Sequence, residues 1–80
     1  MKIRSIAIGD DDMPQTITAE LTAREAAFLA KLTGRMSHSD AEAVVPGFSA
    51  ESGRVYSALA GEVFNRYYED GVDDALRELS

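Results

Sequence analysis

The sequence contains no cysteine and no tryptophan, one histidine, two prolines and eight basic side chains among 80 residues. Without cysteine it can build neither a disulfide framework nor a thiolate metal site. His38 has no second imidazole with which to share a zinc ion. Fourteen acids against eight bases give a formal charge of −6, and there is no basic run. Binding to a phosphate backbone rests on Lys and Arg displacing counterions, so nucleic acid is not an expected partner. No stretch approaches the ~20 apolar residues of a bilayer span. The opening MKIRSIAIGDDD puts acids where a signal peptide carries small residues. No membrane partner is expected, and the expected location is the cytoplasm of whichever cell makes the protein. The Walker loop, GxGxxG, HExxH and GxSxG patterns are all missing, and no cofactor is implied.

What is present reads as an ordinary globular chain, 45% apolar and 28% charged. Eighty residues allow one domain with a small core. Small folds without disulfides or metals gain stability by association, so a homo-oligomer, dimer or higher, is expected.

The predicted class is α+β: an N-terminal hairpin with strands at about 2–8 and 15–21, then helices at about 23–33, 40–45, 50–70 and 72–79. KIRSIAI places Arg4, Ile6 and Ile8 on one face and Ile3, Ser5 and Ala7 on the other; QTITAEL alternates Ile17, Ala19 and Leu21 with polar residues. Between them GDDDMP reads as a turn, with Gly9 free to take positive φ, aspartates bonding nearby amides and Pro14 breaking the ladder. Asp10, Asp11 and Asp12 lack the alternate spacing of a calcium loop. In LTAREAAFLAKLTG, Thr22 and Glu25 have capping-box spacing, and Gly34 stands where a left-handed cap would end the helix. Ser39 and Glu42 repeat the box before Pro46-Gly47 stops a short helix. The long helix is expected to start at a Ser49 cap and end at Gly71. It carries Val55, Tyr56, Leu59, Val63, Phe64, Tyr67 and Tyr68, more than one apolar stripe. The hairpin and first helix are expected to cover one side and another copy the other, with Gly61 allowing close packing. Val72, Ala75, Leu76 and Leu79 give a last amphipathic helix, and Glu69, Asp70, Asp73 and Asp74 serve as cap and dipole partners.

His38 lies among Ser37, Ser39 and Asp40, but neighbours in sequence do not make a triad, and a surface histidine is the expectation. The chain is therefore expected not to be an enzyme. The scarce cations are more informative. Arg35, Arg54 and Arg66 fall near Ser37, His38, Ser52, Tyr56 and Asn65, and arginine forks with hydroxyls and an aromatic face suit a small anionic ligand such as a nucleotide. All of these except Ser52 form the candidate ligand site, seven residues completed between chains.

The series ITAELTAREAAFLAKLTGRMS followed by VYSAL resembles small bacteriophage proteins, notably those of phages of actinobacteria, built as a strand pair, LTxxEAxxLxxLxG, a loop and a helix. Leu21, Thr22, Glu25, Ala26, Leu29, Leu32, Gly34, Val55, Tyr56 and Leu59 carry the match, over about two thirds of the chain. A weaker likeness is to the first family of Thoeris anti-defence proteins, longer oligomeric phage proteins that sequester a cyclic ADP-ribose-type signal. That likeness implies a class of activity, not a site: a non-enzymatic accessory protein sequestering a small cyclic nucleotide or ADP-ribose-type ligand. Capture of a host protein and a structural role in a virion are the competing expectations. A DNA mimic fits less well, because the acids form separate clusters rather than rows.

Overall fold

A computed structural model describes residues 1–80. The chain runs through strands β1 (Lys2–Ile8) and β2 (Pro14–Glu20), then helices α1 (Ala23–Gly34), α2 (His38–Val44) and α3 (Ser49–Leu59). A π-helical segment, Ala60–Phe64, joins α3 to one further turn, α4 (Asn65–Tyr67), and α5 (Val72–Leu79) closes the chain. The class is α+β, as the alternation and periodicity predict.

The strands form an antiparallel pair. Their turn is closed by Asp12 N–H donating to the Gly9 carbonyl and Gly9 N–H donating to that of Met13. The Asp11 carboxylate accepts the Met13 amide at 3.1 Å. The aspartates thus act as turn residues, but the positive φ of 63° falls on Asp12 and not on Gly9. Aspartate tolerates that region because its short polar side chain bonds locally. Pro14 opens β2 opposite Ile8, the strand-end position where a missing N–H costs no ladder bond.

Register corrects the expected faces. Ile3 pairs with Ala19 and Ile6 with Ile17, so Arg4 is an extra residue in β1. Ala19 and Ile17, two apart, share a face, and the bulge therefore turns Ile3 to the side of Ile6 and Ile8. A single isoleucine face results in place of the divided strand that simple alternation gives.

α1 begins with the expected box: Thr22 Oγ1 accepts the Glu25 amide at 3.1 Å and the Glu25 carboxylate accepts the Thr22 amide at 2.9 Å. Its end differs. Gly34 stays within the helix and Arg35, with right-handed φ and ψ, caps it. Glycine stands there because a Cβ would lie 2.6 Å from Cε1 of the Tyr56 ring. The short helix also shifts. Ser37 and Asp40 make its box, while Glu42 accepts the Gly47 amide at 2.8 Å and ties down the Pro46-Gly47 turn. Phe48, without a side-chain cap, precedes α3, so Ser49 is not the cap. The helical run ends at Tyr67, and Tyr68 is extended. Gly71, at φ 62°, introduces α5 rather than closing the long helix.

α1 is the hub of the helices, packing against both α3 and α5. Its buried residues are Ala26, Ala27 and Ala30, which meet Phe64 and Ala75, with Leu21, Leu59, Tyr68, Val72, Leu76 and Leu79 packed around them. Alanines let the helices approach closely, and Phe64, 1% exposed, is the one large side chain enclosed. The hairpin does not cover this core as expected. It makes no extensive contact with any helix, because β2 passes straight into the Thr22 cap and the arm is carried away from the bundle. Its main tether is an ion pair from the Met1 ammonium to Glu25.

Candidate functional site

The expected site residues separate around Tyr56. Its ring lies on Gly34, filling the gap between α1 and α3. On one side, Arg35, Tyr56 and Asn65 line a small hollow with Lys31, Asp70 and Asp73. The Lys31 ammonium is held by Asp73 at 2.7 Å, and that contact, first of several causes, keeps the Asp73 carboxyl below its ordinary value. Two carboxylates in the wall leave Arg35 as the only cation there without an ion pair.

On the other side, Ser37, His38 and Tyr56 line a cleft of about 360 Å³ together with Ser49, Ser52 and Met36. That volume lies within the range of small-ligand sites. The Ser37 hydroxyl is already engaged by the Asp40 amide at 3.0 Å. Ser52 Oγ is buried without a hydrogen-bond partner, so the cleft holds an unused polar group. Ser49 Oγ stands 3.5 Å from His38 Nε2. Glu42 is also close, its carboxyl lowered first by the Gly47 amide, then by the Ser49 hydroxyl, with a smaller effect from His38. The hydroxyl thus lies between imidazole and carboxylate. Nucleophilic catalysis requires the imidazole in the middle, and a tighter serine contact than this one.

Arg54 and Arg66 stand apart from both hollows. Arg54 pairs with Glu51 one turn back at 2.8 Å, and Arg66 lies 5.7 Å from the centre of the Tyr67 ring. The structure therefore groups Arg35, Tyr56 and Asn65, and separately Ser37, His38 and Tyr56, and leaves the other two arginines on the surface.

Sequence reasoning placed Ser52 near this constellation but missed Ser49 as a lining residue, since it assigned Ser49 to a cap. It also missed the largest concavity, an apolar groove of about 530 Å³ between α1 and α5. Phe28 and Leu32 from α1 and Leu76 and Leu79 from α5 line it, and Arg24, Lys31 and Arg35 rim it. Phe28 is 62% exposed although it lies beside the apolar face of α1. No sequence signal pairs α1 with α5, which lie some forty residues apart.

The remaining carboxylates are structural in their geometry. The Glu25 carboxyl is lowered to about 2, first by its bond to the Met1 ammonium and then by the Thr22 amide. Asp74 is lowered chiefly by the Asp70 amide, with Arg77 adding to it. No three histidine, aspartate or glutamate side chains converge as metal ligands, and no helix is long and apolar enough to cross a membrane. No protein-family model, curated protein or solved structure matches the chain.

Proposed function

We infer that this protein is a non-enzymatic accessory protein that self-assembles and acts by binding, its main target class being protein surface. One observation carries the reading: the chain exposes 6061 Å², against the ~4,700 Å² of a compact monomer of this size. Ile3, Ile6, Ile8, Ile17, Phe28, Leu32, Val55, Val63 and Tyr67 are all exposed, and contiguous exposed apolar patches mark contact surfaces. The second stripe of the long helix, Val55, Val63 and Tyr67, is among them, which fits the expected need for a partner.

A second reading, sequestration of a small nucleotide-type signal, is favoured by the Ser52 hydroxyl left without a partner in the Tyr56–His38 cleft. The resemblance to phage anti-defence proteins belongs with this reading. No lysine or arginine lines that cleft, so a neighbouring subunit would have to supply the cations for an anion.

Native mass spectrometry of the protein taken directly from cells tests both. A multimer without added mass is the expected result. Added mass in nucleotide-sized steps would move the second reading ahead. A monomer at micromolar concentration would overturn self-assembly and, with it, the inter-subunit ligand site.

A further inference from the structure

The hairpin leaves its own chain with an unpartnered apolar face, and the α1–α5 groove leaves an unfilled apolar seat. We propose that they belong together across two subunits: the isoleucine face of one copy's hairpin seats in the α1–α5 groove of a second copy, in a reciprocal arm exchange. This rests on the reading of self-assembly given above and names the surface that performs it.

The hairpin calls for a cover. A two-stranded sheet with neither face packed is at best marginally stable in water. Here every residue of both strands except Ala19 is exposed. Yet the Arg4 bulge gathers Ile3, Ile6 and Ile8 onto one side with Ile17, an arrangement that would bring nothing to a solvated arm. Ile6 and Ile17, directly paired, are 52% and 60% exposed at the centre of that face.

Edge pairing with another sheet is the other way to cover such an arm, and the strands oppose it. β1 is bulged at Arg4, and β2 carries an extra residue at Gln15 and Pro14 at its start. Bulges and proline are the devices that blunt sheet edges. The face, not the edge, is the contact surface.

The groove fits this occupant in size and charge. From Ile3 to Ile8 the isoleucine face extends ~17 Å, close to the ~18 Å run of the twelve-residue α1. The hairpin tip carries Asp10, Asp11 and Asp12, with no base beside them in sequence. The groove rim carries Arg24, Lys31 and Arg35, from the first turn of α1 to its end, so a cation stands at either end to meet the acidic tip. In a chain of net charge −6, this is where like copies attract.

Analytical ultracentrifugation of the whole chain and of the double variant Ile6→Lys/Ile17→Lys tests the proposal, with Phe48→Ser as a control on an exposed side chain that belongs to neither surface. The wild type and the control are expected to dimerise. The double variant is expected to dissociate, with the dimer constant weakened on the order of a hundredfold and an unchanged helical circular dichroism spectrum. Because the chain lacks cysteine, a second measurement is direct: Asp11→Cys and, separately, cysteine variants at Arg24 and Arg35 are mixed and oxidised. A disulfide between Asp11→Cys chains and at least one of the groove variants is expected. A monomeric wild type would overturn self-assembly itself. A dimer unaffected by the hairpin variant, or one in which neither groove cysteine links to the tip, would overturn the arm exchange and leave self-assembly standing.

Discussion

Gly34 and Tyr56 show how one missing methyl group sets the middle of the molecule. A Cβ on residue 34 would stand 2.6 Å from the Tyr56 ring, so Gly34→Ala must push the ring off α1. Alanine gains up to ~1 kcal/mol of helix propensity over glycine, but overpacking costs ~1–3 kcal/mol. A net loss of about 1 kcal/mol in urea unfolding is expected, turning into a gain when Tyr56 is already alanine, as a double-mutant cycle would show. Phe64 is the other decisive residue. As the one large side chain fully enclosed, its replacement by alanine should cost ~3–5 kcal/mol, enough to unfold much of a small domain; the loss of cooperative thermal unfolding checks this. At Gly71, where φ is 62°, alanine adds strain of ~1 kcal/mol or more. A lowered urea midpoint is expected there too.

At the scale of elements, Glu25, Asp73 and Asp74 stand in the first turns of α1 and α5, and Glu42 holds the turn that follows α2. The Glu25, Glu42, Asp73 and Asp74 carboxyls all lie below their ordinary values. A carboxyl lowered by folding stabilises the fold above its unfolded value, and that contribution is lost as the pH falls through the folded one. For Glu25 the window runs from about 4.5 down to about 2. The thermal midpoint should therefore fall across that range, and Glu25→Gln should flatten the decline. Thr22→Ala removes the reciprocal half of the same cap and should cost about 1 kcal/mol. This cap was legible in advance, because Thr22 and Glu25 are three residues apart and need nothing beyond their own turn. The cap of α2 was not, since Ser37-Asp40 and Ser39-Glu42 have the same spacing. Tertiary structure chose between them by giving Glu42 the Gly47 amide to hold.

The whole molecule is extended. Its radius of gyration is 14.3 Å, against ~11.6 Å for a compact chain of this length, and the projecting hairpin accounts for the shape. A self-assembling chain couples folding to association, so its thermal midpoint should rise with protein concentration. Scans over a hundredfold concentration range check this, and a constant midpoint would contradict assembly. The candidate ligand residues also divide at this scale. Arg35, Ser37, His38, Tyr56 and Asn65 converge on two sides of one ring because α1, α2 and α3 cross there. Arg54 and Arg66, as close in sequence, face Glu51 and Tyr67 instead.

The sequence by itself determined the α+β order of elements, the aspartate turn and the Thr22 cap. Each depends on hydrogen bonds or periodicity within a few residues, where local chemistry has one best answer. Only the tertiary structure decided which faces those elements show. The bulge at Arg4 depends on pairing with a strand some fifteen residues away, and it reverses the side on which Ile3 lies. Burial of Ala27 and exposure of Phe28, adjacent in one helix, depend on where α3 and α5 dock. Such choices follow from packing summed over the whole chain, which no short window of sequence contains.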